Sequence, residues 1–154
     1  LQQFGDRDAL YNRPANRFVA DFIGEPPTNF FDARVVGEGE GLRLTVEGTG
    51  LAFRPDGQRR AALARSGARE VTVGIRPQNL LIEPPAGTCE RIEAEVDIFE
   101  YLGETAILAL RSGERAFRAV ASPRHRYEPG TPLSLFYRPR DVMLFDPASG
   151  DFLA

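Results

Sequence analysis

The chain has no lysine and no tryptophan, and in 154 residues it has only one histidine, one methionine and one cysteine. Each shortage removes a chemistry. Because every basic residue is arginine, no P-loop lysine, Schiff-base lysine or lysine general base can exist here. His125 lies in SPRHRY without a second histidine or a cysteine or carboxylate at ligand spacing, so neither a zinc site nor a histidine relay is supported. Cys89, in the polar loop GTCER, cannot pair within the chain; it reads as an unreactive loop thiol and points to a reducing compartment. A nucleophile elbow GxSxG is missing, and Ser66, Ser112, Ser122, Ser134 and Ser149 have no triad to join. No apolar run approaches the roughly 20 residues of a membrane span, and no basic-then-apolar leader opens the sequence. A net charge of -3 lacks the basic footprint of a phosphate-backbone binder. The expectation is a non-enzymatic, metal-free domain with no nucleic-acid partner.

What is present is a duplication. Val71 to Pro84 (VTVGIRPQNLLIEP) and Leu133 to Pro147 (LSLFYRPRDVMLFDP) each carry an alternating apolar run, an Arg-Pro pair, a short polar step and a second apolar run. Proline fixes φ and cannot donate to a ladder, so each copy reads as two strands joined at a corner, with Arg76-Pro77 and Arg138-Pro139 at equivalent turns. Other segments fall into phase. Phe31, Ala33 and Val35 alternate as Ile92, Ala94, Val96 and Ile98 do, and Ala52-Phe53-Arg54 recurs as Ala116-Phe117-Arg118. Two β units follow, about 29–84 and 92–147, separated by the linker PPAGTCER. Two units are too few for a solenoid, which needs about three, so they must pack on or interleave with each other. The Gly-rich stretches GEGEG (37–41) and EGTG (47–50) lie between strands and read as hairpin turns.

The first 25 residues differ. Pro14 suits a first helical position, Phe18, Val19, Phe22 and Ile23 form one apolar stripe, and Gly24 with Pro26-Pro27 stops the helix. Ala9 to Tyr11 forms a shorter helical turn capped by Asp6 or Asp8. A helix of about ten residues is marginal alone, so its apolar face must dock on the barrel, a partner or an upstream domain. The opening Leu1-Gln2-Gln3-Phe4-Gly5, without Met and in mid-pattern, suggests a chain cut from something longer. Gln58 to Ser66 is expected to give one or two helical turns with a solvated face.

Two constellations could carry binding. Arg76 and Arg138 could grip an anion or a partner carboxylate by a bidentate fork, or could instead satisfy corner carbonyls and hold neighbours such as Glu83 or Asp141. In Asp97 to Leu108, Gly103 permits a tight turn between two strands with Glu100 and Glu104 beside it, either a solvated tip or a contact surface.

YNRPANRFVADFIGEPPTN (11–29), GIRPQNL (74–80), EYLGET (100–105) and RPRDVMLFDPASG (138–150), in that order, resemble the C-terminal part of sugar- and glycerol-phosphate-type ABC-importer ATPase subunits, where a last helix is followed by a TOBE, or OB-fold-like, regulatory domain. The resemblance covers nearly the whole chain. It departs at Gln78-Asn79, where an acidic residue and a histidine are common, and at Thr28, commonly Met. It implies a cytoplasmic regulatory module through which two ATPase subunits contact each other, and which in relatives receives regulatory proteins or small ligands. It further implies that ATP and Mg belong to a missing upstream nucleotide-binding domain, to which residues 1–25 connect residues 26–154. Expected partners are a second copy of the subunit, its own nucleotide-binding domain, the permease subunits at the inner face of the plasma membrane, and, as candidates, a regulatory protein or small ligand.

The fold class expected is all-β, an OB-fold-like barrel of TOBE type built from the two repeated units with a short helical N-terminal segment. The residues expected to make contacts are Phe18, Phe22 and Ile23 for docking of the helix, Arg76 and Arg138 at the corners, and Glu100, Gly103 and Glu104 at the exposed turn. The main expectation is a domain that holds two ATPase subunits together and tunes them. The alternatives are a sensor of a small oxyanion or metabolite using Arg76 and Arg138, and a single-stranded nucleic-acid binder, which the acidic charge and inward-alternating Phe residues oppose.

Overall fold

The computed structural model describes Leu1 and residues 3–154. Its first five-part unit runs β1 (Asn29–Val36), β2 (Arg43–Thr45), β3 (Ala52–Phe53), α3 (Gly57–Ser66) and β4 (Glu70–Ile75), preceded by α1 (Arg7–Asn12) and α2 (Arg17–Phe22). The second unit runs β5 (Glu90–Tyr101), β6 (Ala106–Ser112), β7 (Arg115–Ala121), β8 (Pro132–Tyr137) and β9 (Met143–Phe145). Two antiparallel sheets result, ordered β3-β2-β1-β4-β9 and β7-β6-β5-β8. Four strands of each unit thus adopt the same order, with α3 inserted between β3 and β4 and only a loop at the equivalent place between β7 and β8. This is the all-β, OB-like architecture of two repeated units.

The units exchange their last segments. After β4, the Arg76 corner turns through a short 3-10 helix (Pro77–Asn79), and Leu81 then bridges to Phe136 of β8 in the other unit's sheet. After β8, the Arg138 corner turns through a matching 3-10 helix (Pro139–Asp141), and β9 pairs antiparallel with β4 of the first unit. In both turns proline occupies the first helical position, where its missing N–H costs nothing. Neither unit can complete its edge without the other.

The shared core follows from the alternation. Phe31 of β1 meets Phe53 of β3 at 5.3 Å and Phe117 of β7 at 5.5 Å between ring centroids, so the two copies of the Ala-Phe-Arg triplet converge on one aromatic from opposite sheets. Phe31, Phe53, Leu44, Leu108, Leu135 and Leu144 are fully buried in this cluster. Each such side chain contributes about 1.5–3 kcal/mol by leaving water. Asn29, buried at the start of β1, closes the sheets polar-to-polar: its amide donates to the Arg118 carbonyl at 2.8 Å and its carbonyl accepts the Arg118 N–H at 2.9 Å.

Several local readings are corrected. The alternation through β5 breaks at a bulge between Val96 and Ile98, which turns Ile98 out to 59% exposure and brings Phe99 against the core. An extra residue at a bulge reverses which face later side chains occupy. Helix α3 spans ten residues, longer than its charges suggested, because Asp56 caps it, accepting the Arg59 N–H at 2.9 Å, and Gly67 ends it in the left-handed conformation. Helix α2 is only six residues and starts after Pro14, because Asn16 caps it, accepting the Val19 N–H at 3.0 Å.

The apolar stripe of α2 is divided, one part seated on the barrel and the other facing outward. Val19 and Ala20 are buried, Ile23 is half-buried, and Phe18 and Phe22 are exposed at 62% and 77% and stack on each other, with centroids 6.2 Å apart. Ala20 instead seats on the outer face of the first sheet, with Met143 and Phe145 of β9. That second layer explains why β4 is buried from Val71 to Ile75 without alternation. Gly74 makes the close approach possible, since a Cβ there would stand 2.9 Å from the Phe145 ring. The C-terminal tail completes the layer: Phe152 N–H donates to the Ala15 carbonyl, and the Phe152 ring lies edge-on to Phe145 at 5.7 Å.

Candidate functional site: two arginine corners and an exposed hairpin tip

The two corner arginines occupy equivalent backbone positions and do different work. Arg76 is 2% exposed. Its Nη1 donates to the carbonyls of Ala20 and Ile23 and to Thr28 Oγ1, and its Nη2 donates to the Tyr11 carbonyl at 2.6 Å. The Tyr11 ring covers the guanidinium at 3.7 Å. No carboxylate participates, and neither Glu83 nor Asp141 makes an ion pair among the described residues. Burial therefore lowers the Arg76 pKa, with Tyr11 acting in the opposite direction. The charge is accommodated by carbonyl dipoles and a π face. Thr28 adds its hydroxyl to this network and itself donates to the Ala20 carbonyl at 2.8 Å. Gln78 reinforces the same junction by donating to the Glu25 carbonyl at 2.9 Å. Arg76 is thus the rivet between the helical segment and the barrel, and it is unavailable to a ligand.

The Arg138 side chain makes no hydrogen bond or ion pair among the described residues, while its carbonyl accepts the Asp141 N–H at 2.9 Å. It is half-buried beside a groove of about 480 Å³ lined also by Arg54, Arg60, Arg140, Glu40 and Glu90. The anchoring task at this corner falls to Arg59 of α3, which sequence reasoning missed. Arg59 donates through Nη2 to the Arg140 carbonyl at 2.6 Å and through Nε to the Val142 carbonyl, and it pairs with Asp56 at 2.7 Å. The signal available for it was the helix cap Asp56 three residues earlier. Tyr137, immediately before the corner, is fully buried and its hydroxyl accepts the Arg54 N–H at 2.7 Å. Burial raises its pKa well above the ordinary tyrosine value, the Arg54 N–H opposing.

Glu100, Gly103 and Glu104 are exposed on the β5–β6 hairpin, which closes with the Leu102 N–H donating to the Thr105 carbonyl at 2.9 Å. Gly103 has φ +91°, which a side chain rarely adopts. Missed at this tip were the exposed apolar residues Ile98, Tyr101 and Leu102, of which Ile98 is revealed only by the bulge. The expected contact residues therefore fall into separate places: a buried rivet, a groove, an outward phenylalanine pair and a hairpin tip. Among the described residues no group of three or more His, Cys, Asp or Glu side chains could hold a metal ion.

Residues 73–145 match the family described as the TOBE domain, and residues 24–80 match the MalK OB fold domain. Together the two matches span residues 24–145, and over that stretch the chain is a TOBE domain with an OB-type fold. Its relatives place this TOBE domain more narrowly. It is 38% identical over 97% of its length to the lactose transport ATP-binding protein LacK of Rhizobium radiobacter, covering 41% of that protein. It is 35% identical over 95% of its length to the sn-glycerol-3-phosphate import ATP-binding protein UgpC of Chromobacterium violaceum, covering 37% of it. To the trehalose/maltose import ATP-binding protein MalK of Thermococcus litoralis it is 34% identical over 97%, covering 41%. The chain thus spans well under half of these relatives, and it matches their C-terminal TOBE region. Among solved structures, the cytoplasmic molybdate-binding protein ModG shares the fold with a TM-score of 0.59 at 16% identity, over 77% of this chain and 96% of that one. No helix among the described residues is long and apolar enough to cross a membrane.

Proposed function

We propose that this TOBE domain is the regulatory and subunit-contact part of the ATP-binding subunit of an importer for a small solute such as a sugar or glycerol phosphate. The observation that carries the reading is the alignment of 95% or more of the chain with the matching part of several import ATP-binding proteins. ATP and Mg²⁺ would then be handled by an upstream nucleotide-binding domain, joined through residues 1–25, at the cytoplasmic face beside the permease subunits. The two outward apolar features suit the two contacts such a part needs. The stacked pair Phe18 and Phe22 faces the nucleotide-binding domain, and the tip carrying Ile98, Tyr101 and Leu102 between Glu100 and Glu104 faces a second copy. Aromatic residues on an exposed patch ringed by charge are the usual anchors of such contacts.

Sedimentation velocity of the chain across a wide concentration range tests the subunit contact. Self-association weakened by Tyr101→Glu supports it, and a strict monomer at every concentration contradicts it. The second reading, a small-ligand sensor, keeps support at only one of its two arginines, because Arg76 is spent inside the fold.

A further inference from the structure

Duplication gave this chain two corner arginines, and only one is needed to hold the fold. Arg76 is saturated by four acceptors and an aromatic ring, whereas the carbonyls of the second corner are bound by Arg59 from the inserted helix α3. Arg138 is released by that substitution of roles. Its side chain is half-buried, lacks an acceptor among the described residues, and borders the same groove as Arg140, whose side chain also makes no hydrogen bond or ion pair there. Two more guanidinium groups line the groove in weakly committed states. Arg60 donates to the Pro55 carbonyl at 3.1 Å, and Arg54 stands 3.9 Å from Glu90, a long contact between partly exposed groups.

The groove's carboxylates define the rest of the ligand. Asp56 is occupied as the cap of α3 and as partner of Arg59. Glu90 is only distantly paired, and Glu40 has no partner among the described residues. A bare polyanion would meet these two carboxylates unfavourably, whereas a ligand that also brings hydroxyl donors would satisfy them. Arginine forks prefer planar or tetrahedral oxyanions bound through two oxygens. A groove of about 480 Å³ lies within the usual size range of small-metabolite sites.

We infer that this groove is a binding site for a small hydroxylated anion, its phosphate or carboxylate held by Arg138 and Arg140 with Arg60 and Arg54 in support, and its hydroxyls donated to Glu40 and Glu90. Such a site differs from the sensor considered as an alternative from sequence, which used both corner arginines. It concerns binding by this chain itself and does not depend on the transporter reading.

Isothermal titration of the 154-residue chain at low salt with glucose 6-phosphate, gluconate, inorganic phosphate and glucose tests it. The inference requires saturable binding of glucose 6-phosphate or gluconate, tighter than that of inorganic phosphate, and no binding of glucose. Whichever of the two binds identifies the charged group as phosphate or carboxylate. Arg138→Gln is expected to weaken binding at least tenfold, Arg140→Gln should weaken it by a smaller factor, and Arg115→Gln, outside the groove, should leave it unchanged. Circular dichroism confirms that the variants are folded; because Arg140 is exposed, its variant remains informative if Arg138→Gln is not folded. Absence of binding by either hydroxylated anion, binding no tighter than phosphate, or equal binding by the folded Arg138→Gln or Arg140→Gln variant would overturn the assignment.

Discussion

Replacing each corner arginine by methionine separates structure from availability, because methionine keeps much of the side-chain volume while removing every donor. At Arg76 the change leaves the Tyr11 and Ile23 carbonyls without their guanidinium donor, while the Ala20 carbonyl retains the Thr28 hydroxyl. An unsatisfied buried acceptor costs about 1–3 kcal/mol, and these carbonyls are only partly buried, so the lower part of that range applies. Loss of the Tyr11 stacking adds about 1–2 kcal/mol. Relief from burying a charge offsets some of this, leaving a net destabilisation of about 3 kcal/mol. For a chain of this size that corresponds to a fall in Tm of about 6–12 °C. Arg138→Met, with no partner to lose, should change stability by no more than about 0.5 kcal/mol. Urea unfolding of the two variants, fitted with a common m-value, measures both. Equal effects at the two corners, or a neutral Arg76→Met, would refute the division of roles.

Other outcomes follow from the same geometry. Tyr137 has a raised pKa in the native state, so its contribution is fully present below the ordinary tyrosine pKa of about 10 and fades as pH rises, the unfolded chain ionising first; alkaline urea titrations should show this fall, shallower in Tyr137→Phe. Asp146 has a lowered pKa, chiefly because it accepts the Ser149 N–H, so its support is present at neutral pH and is lost as pH falls below the ordinary carboxylate range; Asp146→Asn should flatten the acid limb of a stability profile. Gly113→Ala would place a Cβ 2.4 Å from the Gly48 carbonyl oxygen at a φ of +57°, and should cost more than about 1 kcal/mol by thermal unfolding. Phe18→Ser and Phe22→Ser remove exposed rings and should leave the stability of the chain within about 0.5 kcal/mol.

The duplicated Arg-Pro unit was legible because proline and alternation act locally: each copy dictates a strand and a turn, but the expected second strand forms only in the second copy, as β9, whereas the first copy keeps a single bridge at Leu81. That the segments after the corners cross to the opposite sheet was not legible, since pairing Leu81 with Phe136 and β9 with β4 depends on contacts far apart in the chain. The same limit explains α2. Its apolar residues Phe18, Val19, Phe22 and Ile23 lie on adjoining faces, and which face is covered depends on where Thr28, Arg76 and the C-terminal tail hold the helix. The bulge after Val96 reversed Ile98 for a reason no alternation count contains. At the corners, sequence identified both arginines but could not distinguish them, because the difference lies in Arg59, whose helix has no counterpart in the second unit.

The most direct test of the regulatory role uses the assembled transporter, comparing the ATP-binding subunit with and without its TOBE domain for solute-stimulated ATP hydrolysis. Allosteric couplings of about 1–3 kcal/mol correspond to effects of about 5–150-fold. The account predicts that removal preserves ATP binding while changing the solute stimulation by a factor in that range. Unchanged stimulation, or loss of ATP binding itself, would contradict it.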